Sequence, residues 1–294
     1  MGGLKEIRSR ILSVKTTRQV TGAMKMVSAA KLKKAQDAIL QIRPYADKLH
    51  EILISISSGI DKVEGSLYTQ EKEPEKVLIV LISSNRGLCG GFNTNIAKKA
   101  VHHVHSSYGL QHELGNVSFL CIGKQGERQV KLRGMKVIGN ENELFSHLDF
   151  EHINELATSL MQSFTNKKYD RIDLVYNQFQ NAAVQINTAE RFLPVKVENA
   201  GEQLYSNATD FIFEPSKQFI IRELIPKSLK IQFYKALLDS HAAEHGARMT
   251  SMHQATENAT ELLKDLKLQY NKERQASITN EILEIVSGAE ALRG

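Results

Sequence analysis

From Leu4 to Ile56 the chain steps along a single stripe by threes and fours without a slip: Leu4, Ile7, Ile11, Val14, Arg18, Thr21, Lys25, Ser28, Leu32, Ala35, Ile39, Ile42, Ala46, Leu49, Leu53 and Ile56. Held over so many heptads, this spacing predicts a coiled-coil seam rather than the face of a globular helix. At Arg18, Thr21, Lys25 and Ser28 the seam turns polar, and apolar residues move to a neighbouring stripe of Val20, Met24 and Val27. That shift is expected where a helix offers its apolar face to a different partner. Pro44 lacks an amide donor and should bend the helix without ending it, because the pattern resumes at Ala46.

The C-terminal third repeats the theme. After FEPSKQF the register Ile231, Tyr234, Leu238 leads to polar His241, His245 and Arg248, then recovers as Met252, Ala255, Ala259, Leu262 and Leu266. The polar stretch QYNKERQAS shifts the phase to Ile278, Ile282, Ile285, Ala289 and Leu292. Some 53 helical residues span ~80 Å and about 60 span ~90 Å. A middle segment of roughly 120 residues has a radius of gyration near ~14 Å and cannot enclose such rods. The expected organisation is an N-terminal coiled-coil helix over 1–58, a central α/β domain over 75–197 and a C-terminal coiled-coil helix over 214–294, the two helices pairing antiparallel as a stalk.

In the middle, apolar and β-branched runs occur at VLIVLI (77–82), VSFLCI (117–122), MKVI (135–138), RIDLVYNQF (171–179) and RFLPVKV (191–197). Amphipathic stretches from Asn93 to His105, Gly123 to Leu132 and Phe150 to Thr165 separate several of them. This alternation predicts an open, mostly parallel, Rossmann-like sheet.

The net charge of +5 is unevenly placed: residues 1–50 hold eleven Lys or Arg against Glu6, Asp37 and Asp47. A basic helix suits nucleic acid, an anionic membrane surface or an acidic protein loop. Tyr45 is the sole aromatic in those fifty residues, so bases would find no stacking platform and a nucleic-acid partner is not expected. No run of eighteen apolar residues spans a bilayer. The start MGGLKEIRSR has no signal-peptide core, and its acidic Glu6 argues against a transit peptide. Cys89 and Cys121 lack CxxC spacing and read as buried thiols of a reducing compartment.

Three motifs invite chemistry. SSNRGLCGGFN (83–93) joins an expected strand to an expected helix, where phosphates often bind, yet neither G-x-G-x-x-G nor G-x-x-x-x-G-K-[ST] is present. The turn reads as a tight chain reversal with close helix packing, with Arg86 able to touch an anion. HAAEH (241–245) fits H-x-x-E-H, but both histidines fall on a seam without an evident third ligand. HHVH (102–105) reads as the polar end of a surface helix. No Ser-His-Asp or Cys-His arrangement is assignable, so no catalytic, cofactor-binding or metal residue is expected. The tail ITNEILEIVSGAEAL carries an apolar stripe at the end of a rod, which is expected to enter a partner's apolar cavity.

IRSRILSVKTTRQVTGAMKMVSAAKLKKAQ (7–36), SSNRGLCGGFN, HAAEHGARMTSMHQATENA (241–259) and RQASITNEILEIVSGAEAL together resemble the gamma subunit of the rotary F-type ATP synthase, in order and over essentially the whole chain. The resemblance implies a non-catalytic shaft, one copy per complex and without a cofactor. Its coiled coil would stand inside a hexamer of alpha and beta subunits, and its α/β foot would sit on the proteolipid ring beside the epsilon subunit. It also implies a peripheral place on the cytoplasmic face of a prokaryotic inner membrane, coupling ion flow to ATP synthesis or hydrolysis. By resemblance, Met24 and Lys25 meet an acidic loop of a beta subunit, and Arg248 and Gln275 bond a beta-subunit catch loop. Thr279, Glu281 and Glu284 lie in the coupling tail, and Phe211 and Phe213 of DFIFEP face the proteolipid loops. Asn85 stands where the family commonly has Asp, and the cysteine insertion of the chloroplast form is lacking. Two other readings follow from the residues alone: a nucleotide-binding α/β enzyme and a basic coiled-coil adaptor. ATP binding to the isolated chain would favour the first, and steeply salt-dependent binding to nucleic acid or anionic vesicles the second.

Overall fold

The computed structural model describes residues 2–57, 68–69, 72–146, 150–195 and 217–291. Helix α1 runs unbroken over Gly2–Ser57, through Pro44. Strand β1 (Val77–Ile82) is followed by α2 (Phe92–Ser107) and the single turn α3 (Gly109–Glu113), then by β2 (Val117–Ile122), α4 (Lys124–Lys131) and β3 (Val137–Asn140). A short 3-10 helix (Asn142–Ser146) precedes α5 (Phe150–Thr165), β4 (Arg171–Phe179), β5 (Gln185–Leu193) and the long α6 (Lys217–Ala291).

The sheet order is β3-β2-β1-β4-β5, parallel except for the antiparallel edge pair β4–β5. Side chains of β1 alternate between two cores, as the pleat requires. Val77, Ile79 and Leu81 pack with Ile96, Ala100 and Val104 of α2 and Val130 of α4. Leu78, Val80 and Ile82 pack with Ile153 and Leu160 of α5 and with Leu229, Phe233 and Leu237 of α6. A strand buried on both faces must be apolar throughout, which is why VLIVLI reads as a continuous run.

Two strands differ from expectation. β3 begins two residues later than MKVI, because Met135 is spent on the core beside Val130 before pairing starts. β5 occupies Gln185–Leu193 rather than 191–197, because in this antiparallel edge strand Ile186 and Ala189 are separated by polar residues and no apolar run begins until Phe192.

The chain divides into two compact units, residues 1–28 with 248–294, and residues 29–247. In the second, the α1 seam closes through Leu32, Ala35, Ile39 and Leu49, all buried. In the first, α1 and α6 run antiparallel: Thr256 Oγ1 lies 2.8 Å from Thr21 Oγ1, and Lys25 Nζ lies 3.1 Å from His253 Nδ1. Leu4, Ile7, Ile11, Val14, Arg18, Thr21, Lys25 and Ser28 are all shielded, so the expected seam survives its polar interruption. The neighbouring stripe remains open, with Val20 and Val27 more than half exposed and Met24 half-buried. On α6 the seam passes through Leu263, which is buried, and not Leu262, which is 40% exposed.

Candidate functional site

In an open α/β sheet, ligands sit beyond the carboxyl ends of the strands where the strand order reverses, here between β1 and β4. The SSNRGLCGG turn lies at that point. Its polar groups are turned inward: the Ser84 amide donates to Asn93 Oδ1 at 3.0 Å, and Ser84 Oγ donates to the Arg86 carbonyl at 2.6 Å and accepts from Asn93 Nδ2 at 2.8 Å. Ser83 Oγ accepts the Gly126 amide at 2.9 Å, and Asn85 Oδ1 accepts the Lys124 amide at 3.2 Å, so the first turn of α4 is occupied by protein groups. Gly123, at φ +107, lies so close that a Cβ there would meet the Ser83 carbonyl oxygen at 2.6 Å. Across the reversal point, Cys89 and Phe92 pack with Phe179 of β4 and with Ala243 and Ala247 of α6. The small Ala243 and Ala247 let α6 pack closely against this turn.

The HAAEH segment folds into packing. His241 and His245 bring their Nε2 atoms to 3.1 Å, and His241 stacks on Phe145 with ring centroids 6.1 Å apart. Among the described residues, no group of three His, Cys, Asp or Glu could hold a metal ion. HHVH is not uniformly surface. His102 and His105 are exposed, Val104 is core, and His103 Nε2 reaches buried Asp173 Oδ2 at 2.7 Å. Tyr108 donates to the same oxygen at 2.6 Å, and burial followed by the Asp173 charge pushes its phenol above the ordinary range. Ser107 Oγ lies 3.5 Å from His103 Nδ1, so a Ser-His-Asp neighbourhood exists that the sequence did not suggest; its serine is exposed at a helix end. Asp173 comes from a strand 70 residues away, which no local spacing could reveal.

The sequence-derived contact residues fall into two groups on the unit formed by residues 1–28 and 248–294. Met24 and Lys25 are half-buried, and Arg248 is 6% exposed and engaged within the chain. Gln275, Thr279, Glu281 and Glu284 are exposed. Thr279 Oγ1 donates to the Gln275 carbonyl at 2.9 Å, and Ser277 Oγ lies 3.5 Å from Glu281 Oε1. Phe211 and Phe213 lie outside the described residues.

The register set by the Thr21–Thr256 and Lys25–His253 contacts, carried to the start of α1, brings Gly2 opposite about residue 275 of α6. From there to Ala291, α6 has no α1 beside it, a single-helix overhang of ~25 Å. Ile278, Ile282, Leu283, Ile285 and Val286 are 49–71% exposed on it. With each large aliphatic side chain worth about 1.5–3 kcal/mol on full burial, the overhang leaves on the order of 5 kcal/mol unrealised within this chain.

The ATP synthase family model matches residues 3–292. The chain is 54% identical over 294 residues to the ATP synthase gamma chain of Christiangramia forsetii, covering all of both chains. It is 44% identical over 293 residues to that of Chlorobium limicola, again covering both in full. Among solved structures it is similar to a chain of the Euglena gracilis mitochondrial ATP synthase (OSCP/F1/c-ring), with TM-score 0.67 and 21% identity, covering 99% of this chain and 95% of that one. It is also similar to a chain of the Tetrahymena thermophila mitochondrial ATP synthase central stalk and c-ring, with TM-score 0.57 and 22% identity, covering 80% and 99%.

Proposed function

The chain belongs to the ATP synthase gamma-chain family, and we propose that it works as the non-catalytic rotor shaft of the complex, coupling ion flow through a membrane ring to ATP synthesis or hydrolysis in a hexamer of alpha and beta subunits. The observation that carries this reading is the overhang: a single helix with an exposed aliphatic stripe, in a chain whose glycine-rich turn packs against its own α6. A shaft that turns in a sleeve needs non-directional contact at its tip, since directional hydrogen bonds would pin one angle. Torque needs the opposite, polar contacts whose strength differs between orientations, so that each nucleotide state of the hexamer favours one of them. Lys25, with Met24 beside it, meets an acidic beta-subunit loop. Arg248 and Gln275 bond a catch loop, and Thr279, Glu281 and Glu284 line the same path. Phe211 and Phe213 face the proteolipid ring, beside which the epsilon subunit docks. No described helix is long and apolar enough to cross a membrane, and the chain is held peripherally, one copy per complex, on the cytoplasmic face.

The test is co-purification with the alpha and beta subunits and an ATPase assay of that assembly with and without this chain. Stable association and a rate that depends on the chain are expected. ATP binding to the isolated chain, with no association, would overturn the reading. Within the assembly, Gln275→Ala should lower coupled ATP synthesis, and wild-type synthesis would remove Gln275 from the path.

A further inference from the structure

Lys25 does not stand alone. Its ammonium donates to His253 Nδ1 at 3.1 Å, and His253 Nε2 lies 3.4 Å from Glu257 Oε1. An ammonium has donors only, so Nδ1 must be the acceptor and the imidazole neutral, with its proton on Nε2. That tautomer aims the Nε2 proton at the Glu257 carboxylate, so one protonation state satisfies both contacts. Across the facing stretch of α1, residues 21–29, Lys25 is the only charged side chain. On α6, from 249 to 257, His253 and Glu257 are the only titratable ones.

Resting on the shaft reading, we propose that His253 is a positioning residue: in its neutral form it fixes the direction of the Lys25 ammonium, leaving two of its three donors for an acidic partner loop. The side chains of His253 and Glu257 are 51% and 64% exposed, so the effect is modest and screened by salt.

The experiment measures coupled ATP synthesis in the whole complex carrying wild type, His253→Ala, His253→Gln, Lys25→Ala and the Lys25→Ala/His253→Ala pair. His253→Ala should run about two- to threefold below wild type. His253→Gln, whose amide oxygen can accept from the Lys25 ammonium, should restore the wild-type rate. The double variant should match Lys25→Ala. If His253→Ala equals wild type while Lys25→Ala is impaired, the positioning role is overturned and the torque contact stands. If Lys25→Ala itself is silent, the torque contact fails and the positioning role falls with it.

Discussion

Two stretches of the same helix carry similar aliphatic content to opposite ends. Between Ile225 and Leu238, α6 buries Leu229, Phe233, Ala236 and Leu237 to 2% exposure or less, against a sheet of its own chain. Between Ile278 and Val286 every large side chain is about half exposed or more. Hydrophobicity alone does not separate the two. What separates them is whether a partner element exists in the chain: the first stretch has β1, β4 and α5, while the second begins where the register runs out of α1. An apolar stripe thus marks an interface without saying whether the interface is internal.

The comparison can be broken most severely at its buried end. Phe233→Ala removes a fully buried ring whose centroid lies 5.9 Å from that of Phe192. A loss of about 3–5 kcal/mol is expected, read as a lower urea midpoint. Next comes Asp239, 4% exposed just beyond that stretch. Burial pushes its carboxyl up to about 6 from an ordinary 3.8, against the opposing pull of Lys235 and Arg43. Because the folded value is the raised one, the stability it supplies is complete below about pH 4 and is lost as pH rises through about 6. Asp239→Asn should flatten that dependence by on the order of 2 kcal/mol, measured as the difference between urea midpoints at pH 4 and pH 7.5.

Asn85→Asp comes third. Asn85 Nδ2 donates to the Asn142 carbonyl at 2.7 Å, a bond a carboxylate cannot make, and a cost of about 1–3 kcal/mol is expected in the same assay. The smallest effect on folding belongs to the overhang. Ile282→Ala should move stability by less than about 0.5 kcal/mol while weakening association with the alpha and beta subunits. A fall in stability comparable to that of Phe233→Ala would mean that the overhang is folded against its own chain.

From Leu4 to Leu49 the α1 seam was legible residue by residue, including its polar stretch, because heptad spacing is a local property and Arg18, Thr21 and Lys25 keep their places in it. Strand β1 was legible because burial on both faces leaves an unbroken apolar run, and β2 and β4 because their cores stay mostly apolar and β-branched around Ser118 and Asp173. β5 was not, since its polar alternation resembles an ordinary surface segment. Nor could the phase of α6 near Leu262 and Leu263 be fixed, where adjacent leucines fit either of two stripes. The candidate contacts were found as motif positions, but the Lys25–His253–Glu257 chain and the Asp173 cluster depend on elements brought together from distant parts of the sequence.

The change from two helices to one carries a mechanical consequence. A side chain on a lone helix acts about 5 Å from its axis. Two helices packed with axes 8–10 Å apart put their outer side chains at ~10 Å from the line between them. The same tangential push therefore yields roughly half the moment on the overhang that it yields on the paired stretch beside Lys25. On the proposed shaft reading, leverage concentrates where the helices are doubled, and the slender end serves as a bearing.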